Sequence, residues 1–515
     1  MKHQFFYLFL FCFFESAAQM PEDALRMAWT TPSGTARQQA IGGAMCSLGG
    51  EISSAYVNPA GLGFYNTSEI VFSPGLSFQS IKSSYLGTPS TGSQVFNFNL
   101  GTSGIVLGGT MEEGNAITLS FAVNRTANFN GNLYYSGKNN YSSFSEQYAE
   151  EFANSNLSIH DGINNPLLSY GTRMALYTYL IDTVTVGSAQ QVIGMPEKVL
   201  AANGSLNQVY DSRTKGGITE LNIAVGIAGT SRWLFGGSLG IPIINYTRNL
   251  TFSESDVSGN ANNDFKSSTY SETYNSSGGG VNLRLGTIFI ASHSFRIGLA
   301  VQTPTICFLT DKLSASMTTN TENYADSVSI TSSALDAAIG LNAGNVKYDV
   351  TLPWKFTAGL SYLLGSVEDV KKQKGFITAD VEYLTTRSPR YSSPEVDGTS
   401  VQGSYFSPLN DVIKNYYRNI FNFRVGAEVK FNIISAQAGF AYYGNPYADS
   451  RVRGERMYIS GGIGYRNKGI FVDLAYIHGI VHDVSFPYRL TDKANSYASA
   501  SQSAGTVLAT VGLKF

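Results

Sequence analysis

Charge is scarce in this chain: Asp, Glu, Lys and Arg make up 14% of its 515 residues, against roughly 25% in an ordinary soluble domain. Cysteine is scarcer still, at three residues, which excludes a disulfide-stapled scaffold. A net charge of −2 offers a nucleic acid nothing to bind. Beyond the first twenty residues no run reaches the ~18 unbroken apolar residues of a membrane helix. A chain of this kind that meets a bilayer must cross it as strands closed into a barrel, because lipid cannot satisfy open backbone groups.

What is present begins with an export signal. Lys2 precedes the apolar run Phe5 to Phe14, and Ser16-Ala17-Ala18 follows, the pattern of a signal peptide over 1–18 with the mature chain starting at Gln19. The apolar run is about ten residues, half the ~20 that a spanning helix needs. Cleavage removes Cys12, leaving Cys46 and Cys307. Export permits a bond between them, but two widely separated thiols read more readily as unlinked buried residues. Tyr and Phe are equally abundant, at 31 each, as the aromatic girdles of a membrane barrel require.

Period-two alternation is the strongest signal, since it gives a strand one face for lipid and one for a polar lumen. Ile117, Leu119, Phe121 and Val123 alternate with Thr118, Ser120 and Ala122. Phe421, Phe423, Val425, Ala427, Val429 and Phe431 alternate with Asn422, Arg424, Gly426, Glu428 and Lys430. The pattern predicts a transmembrane antiparallel β-barrel over 69–515 of about fourteen strands, an even number as bacterial barrels have. The strands fall near 69–82, 94–111, 115–131, 217–229, 232–250, 279–291, 294–312, 347–364, 375–388, 417–431, 434–444, 456–466, 469–483 and 503–515. Short turns at Glu113-Gly114, Thr230-Ser231, Ser292-His293, Asn432-Ile433 and Asn467-Lys468, with a longer one over Gly365 to Lys374, alternate with long loops over 132–216, 313–346 and 389–416. This rhythm places both termini on the short-turn, periplasmic side. The last strand ends on Phe515, which looks like the signal read by the barrel-assembly machinery.

Residues 19–68 do not alternate and are rich in Gly, Ala and Ser. Small residues suit a segment packed inside the lumen as a hatch, since a barrel wider than about eight strands is not filled by its own side chains. Within it, Asn58-Pro59-Ala60-Gly61 predicts a defined kink, or else an ordinary turn into the first strand. Inward charges Arg284, Arg296, Lys355, Asp380, Glu382, Arg424, Glu428, Lys430 and Asp473 are mixed in sign and suit mutual pairing and anchoring of the hatch. Pro74-Gly75 and Pro242 interrupt strands and mark either a side opening or simple curvature.

With Gly34-Thr35-Ala36-Arg37, Asn58-Pro59-Ala60-Gly61, Asn124-Arg125 followed by Phe129-Asn130, Gly240-Ile241-Pro242, Thr303-Pro304, Asp380-Val381-Glu382-Tyr383 and Gly426-Ala427-Glu428 in this order, the chain resembles the FadL/TodX (OMPP1) family in its Bacteroidetes form. Glu51-Ile52 departs from the family's Asp-Leu pair. The resemblance implies a fourteen-stranded outer-membrane barrel with an N-terminal hatch. It also implies passive uptake of long-chain fatty acids or aromatic hydrocarbons by capture at the outer loops, with lateral exit through the wall beside Asn-Pro-Ala. Hydrophobic small molecules and outer-membrane lipid are then the expected partners, and a monomer the expected state.

The loop 132–216 predicts two short helices, over 145–157 and 166–181, with Leu167, Leu168, Met174, Leu176, Tyr177 and Leu180 clustered. These residues present either a capture groove or packing of the loop onto the barrel mouth. Chemistry finds little support. Gly236-Gly237-Ser238-Leu239-Gly240 matches G-x-S-x-G, but within a strand rather than at a strand-to-helix elbow. His478 and His482 lie about 13 Å apart on a strand, too far for one metal. No catalytic residue, metal or cofactor is expected. A surface adhesin or structural barrel, and a barrel lipase or protease, are the alternative readings.

Overall fold

The computed structural model describes residues 21–29, 32–110, 116–186, 189–229, 232–341, 345–365, 373–392 and 406–515. The expected signal peptide, the turns at Glu113-Gly114 and Thr230-Ser231, most of the Gly365–Lys374 turn and residues 393–405 of the third long loop lie outside them.

Fourteen antiparallel strands form one closed barrel. They are β1 (Glu69–Phe72 and Pro74–Tyr85), β2 (Val95–Leu100 and Ser103–Thr110), β3 (Ala116–Asn128 and Gly131–Asn139), β4 (Leu206–Ala228), β5 (Trp233–Asp256), β6 (Ser267–Ile290) and β7 (Phe295–Gln302 and Ile306–Asn320). There follow β8 (Val346–Thr351 and Lys355–Gly365), β9 (Gln373–Leu384), β10 (Ile420–Phe431), β11 (Ile434–Tyr443), β12 (Arg456–Asn467), β13 (Ile470–Ser485) and β14 (Ala498–Lys514). Closure runs through β1 and β14, with Ile70 opposite Leu513 and Ser77 opposite Thr506. The outward sets are the apolar ones: Phe421, Phe423 and Val425 are exposed while Asn422, Arg424 and Glu428 are buried. Between β12 and β13, Lys468 and Gly469 both take positive φ, the left-handed pair that a two-residue hairpin needs.

Strands β4 to β7 outrun the sequence-based boundaries on the loop side. The expected starts at 217 and 279 move to Leu206 and Ser267, and the ends at 250 and 312 move to Asp256 and Asn320. The reason is physical. Along β5 the outward residues change from Phe235, Ile241 and Ile243 to Asn245, Thr247, Asn249 and Thr251, so the apolar alternation stops where the outer face leaves lipid, although the ladder continues. At ~3.3 Å per residue β5 and β6 are about 80 Å long, against the 9–11 tilted residues that cross the membrane.

The loop after β3 is more structured than expected. It holds four helices, Ser145–Ser155, Ile159–Asn164, Tyr170–Tyr177 and Met195–Ala201, and a hairpin, Ile181–Val186 with Ala189–Gly194. The loop after β7 adds Ser332–Ala338, and that after β9 adds Ser407–Tyr416. Cys46 and Cys307 are buried and unlinked.

Candidate functional site: a hatch, an aromatic chamber and a seam in the wall

Residues 32–64 fill the short-turn half of the lumen. Thr35 caps helix α2 (Ala36–Ala40) by accepting from Gln38 N, and it donates its hydroxyl to the Glu51 carboxylate. Arg37 leaves α2 as a fork onto Glu428 of β10, with Nε to Oε2 at 2.6 Å and Nη2 to Oε1 at 3.0 Å. Asp380 of β9 accepts from Met45 N at 2.9 Å and Cys46 N at 3.0 Å. Arg296 of β7 donates to Leu48 O at 2.7 Å, and Ser238 of β5 donates to Ala55 O at 3.0 Å. These strong polar contacts replace the water that the buried groups would otherwise need. Burial pushes the Glu51 carboxyl up to about 7, against the pull of nearby Arg37.

Asn58-Pro59-Ala60-Gly61 forms the joint between hatch and wall. Asn58 Oδ1 accepts from Ala60 N at 3.2 Å while Nδ2 donates to Cys46 O at 2.7 Å and to Thr287 O of β6 at 3.1 Å. Pro59 opens a 3-10 helix, Pro59–Phe64, at a position where its missing N–H is harmless. The wall meets this motif with glycines: a side chain at Gly236 would collide with Pro59, and one at Gly286 with Asn58. The motif thus abuts β5, β6 and β7.

Of the nine inward charges, Arg296, Asp380 and Glu428 touch the hatch directly. The others meet the wall: Arg284 pairs with Glu220 at 2.6 Å, Glu382 with Arg424 at 2.6 Å, Asp473 with Arg466 at 3.0 Å, and Lys430 Nζ donates to Gln373 at 2.8 Å. Lys355 lines a cavity above the hatch together with Trp29, Tyr56, Ile218, Ile244 and Arg284.

Over that cavity lies helix α1 (Pro21–Ala28), with Ala24, Leu25 and Trp29 packed among Tyr246, Tyr274, Tyr348, Tyr391 and Phe406. Arg26 sits over the Tyr246 ring at 4.3 Å and Arg456 over Trp29 at 3.2 Å. Tyr274 and Tyr348 both donate to buried Asp311, at 2.6 and 3.1 Å. The first described residues, 21–29, therefore lie inside the lumen on its long-loop side. The carboxy-terminal Phe515 lies at the short-turn end, paired through its backbone with Ser68. The rhythm of connections reports only on strands, so it carried no information on where the described residues ahead of β1 lie.

The loop helices cap the mouth. Leu168, Met174, Leu176 and Leu180 are buried with Phe144, Phe152 and Phe252 in one apolar cluster, while Leu167 and Tyr177 are exposed.

The wall carries a seam. Backbone pairing between β2 and β3 runs from Thr110/Ala116 only to Ser103/Val123. Above it, Val95–Leu100 pairs with β1 and Gly131–Asn139 with β4, and among the described residues no ladder joins the two. The displaced part of β3 is held to β1 by side chains instead: Gln79 donates to Asn130 O, and Ser83 Oγ to Tyr134 O at 2.6 Å. A smaller interruption lies at Pro242, where the β5–β6 ladder passes from Gly240/Asn282 to Ile243/Gly279. Pro74 follows a break at Ser73, whose backbone N–H turns to Ser103 Oγ at 2.9 Å.

Sequence reasoning quoted Thr35 and Arg37 without a role, named Glu51 only as a departure from the family's pair, and missed Asp311 and Glu220. An ionisable residue inside a segment of small residues was the available signal for the first group. Ser238 is occupied by the hatch, and His478 lies beside Tyr476, Nδ1 to Oη 3.4 Å. Among the described residues no group of His, Cys, Asp and Glu is placed to hold a metal.

No family model matches the chain, and no curated protein matches it in sequence. Solved structures do match in shape. A FadL homologue of Pseudomonas aeruginosa superposes with a TM-score of 0.56 at 13% identity, covering 95% of this chain and 100% of that one. The P. putida toluene transporter TodX superposes with a TM-score of 0.51 at 13% identity, covering 94% and 99%. The chain therefore has the FadL/TodX-type fold, a fourteen-stranded antiparallel barrel stoppered from within by its own amino-terminal segment.

Proposed function

We propose that this chain is a passive outer-membrane conduit for small hydrophobic molecules, with its long loops facing the cell exterior. The observation that carries the reading is the aromatic chamber around Tyr246, Tyr274, Tyr348 and Tyr391, stacked on a polar-anchored hatch. Such an arrangement shelters an apolar solute while denying water a straight path. The likeness to a structure described as a toluene transporter supports it. Capture begins at the edge formed by Leu167 and Tyr177, with Leu168, Met174, Leu176 and Leu180 as its floor. The solute leaves sideways at the seam between β2 and β3, with Asn58-Pro59-Ala60-Gly61 as the hatch's hinge against the wall. Insertion proceeds through the assembly machinery by way of the last strand and Phe515. Both a long-chain fatty acid and an aromatic hydrocarbon satisfy the apolar walls.

The test is uptake. Cells lacking their own hydrophobic-compound channels, with and without this chain, are given labelled oleate and labelled toluene at low concentration, with a labelled disaccharide as control. Faster uptake of at least one apolar compound with no gain for the sugar is expected. Sugar passage without apolar uptake, or no change in either, would overturn the proposal.

A further inference from the structure

The outer face of β4 to β7 above the lipid band carries a second surface. Its rows are fixed by register: Lys215, Thr247, Asn275 and Lys312; then Arg213, Asn249, Thr273 and Ser314; then Asp211, Thr251, Ser271 and Ser316. Thr247 donates to Asn275 at 2.8 Å and Thr273 to Asn249 at 3.0 Å, so the face is a flat net of hydroxyls and amides. At its lower border stand four exposed cations, Arg213, Lys215, Lys312 and, opposite Thr310, Lys347. Four to six residues further down the same four strands come the exposed apolar residues Leu221, Ile243, Val281 and Phe308. Two carboxylates accompany the cations, Asp211, which is paired to Arg213 at 3.1 Å, and Asp349 near Lys347. The border keeps two positive charges in excess.

We infer that this face is a docking surface for the phosphorylated, sugar-headed lipid of the outer leaflet. Cations set at the top of an apolar band stand where a lipid's phosphates lie, while its acyl chains run down the apolar strands. Lys215 and Lys312, three strand spacings apart, are about 14 Å from each other, a span that suits two phosphates on one sugar head. Above them a field of Ser, Thr and Asn, whose one charged pair is Arg213 with Asp211, matches the alternating donors and acceptors of a polyhydroxylated head group. The same field argues against a protein partner, since it offers no aromatic or aliphatic anchor for an interface core. The inference rests on the long loops facing outward, which an epitope inserted at 258–262 and stained on intact cells reports separately.

The experiment uses the full chain purified from outer membranes in mild detergent, with bound glycolipid counted by native mass spectrometry. Lys215→Glu with Lys312→Glu is expected to lower the bound glycolipid at least tenfold. Lys82→Glu, an exposed lysine of β1 away from this face, is expected to leave it unchanged. Asn249→Ala with Thr251→Ala, which removes no charge, is expected to lower it severalfold and guards against misfolding of the charge variants. Equal loss in Lys82→Glu, full retention in the double charge variant, or displacement of the glycolipid by an equimolar anionic phospholipid would overturn the inference.

Discussion

Asp380, on the wall strand β9, accepts hydrogen bonds from two successive backbone N–H groups of the hatch, Met45 at 2.9 Å and Cys46 at 3.0 Å. Hydrogen bonds to a charged group contribute about 1.5–3 kcal/mol each. Asp380→Ala should therefore loosen the hatch by about 3–6 kcal/mol, read as a lower temperature for heat-modified electrophoretic mobility and faster protease cleavage between residues 32 and 64. Unchanged cleavage would remove Asp380 from the anchoring set.

The Arg37–Glu428 pair makes a different test because Glu428 is fully buried and Arg37 half-buried against it. Removing one leaves a bare charge in a dry site, at about 3–5 kcal/mol, whereas replacing both by apolar residues is often near neutral. Arg37→Leu should destabilise the barrel strongly, and Arg37→Leu with Glu428→Leu should recover most of the loss. Additive effects in the thermal midpoint would show that the two side chains act independently.

Glu51 gives hatch docking a pH dependence. Its folded-state value of about 7 lies above that of a solvated glutamic acid, near 4.3. The docked state holds a proton that the undocked state has released, so docking weakens as pH rises from about 4.3 to 7 and is level beyond. At ~1.4 kcal/mol per unit the effect is at most about 4 kcal/mol. Protection factors of residues 34–53, corrected for the intrinsic pH dependence of amide exchange, should be higher at pH 5 than at pH 8. Glu51→Gln should flatten the profile, and a slope surviving in that variant would assign the effect elsewhere.

Gly439 of β11 faces the hatch at Gly42, where an added Cβ would run into Gly42 N and the Ile41 carbonyl carbon. Gly42 itself has φ +67, so neither backbone moves aside without strain. Gly439→Val should expel this part of the hatch and raise ion conductance in planar bilayers. Conductance equal to the parent's would mean that the close approach is dispensable.

At the barrel mouth, Met174 and Leu176 of the loop helix Tyr170–Tyr177 are buried in the apolar cluster of the cap. Truncation of either to alanine should cost the cap about 2–5 kcal/mol. Deletion of 160–182 separates capture from mere closure: slower uptake at low substrate concentration supports capture, and unchanged uptake removes that role.

The legible parts of the sequence were those where one face of a strand meets lipid. Phe421 to Phe431 announces itself because each outward residue is apolar and each inward one small or polar. The upper reaches of β5 and β6 were read only in part, β5 to Leu250, for the opposite reason: there the sense of the alternation inverts, with Asn245, Thr247, Asn249 and Thr251 outward and Tyr246, Leu250 and Phe252 inward, so the lipid-facing pattern no longer marks the strand. The hatch could be recognised by its small residues, but its route could not. Nothing in Leu25 or Trp29 says which aromatic side chains, hundreds of residues later, will receive them. The seam escaped as well, because Asn128 to Gly131 reads as the end of a strand rather than as a strand that changes partners.

The pairing of Ile70 with Leu513 and of Ser77 with Thr506 fastens the oldest strand to the youngest. The stopper is tied to that same line, Ala36 N donating to Thr510 Oγ1 of the last strand at 2.8 Å. What blocks the lumen therefore also braces the closure of its wall, and lesions in the stopper should lower the temperature at which the cylinder opens as well as change what passes.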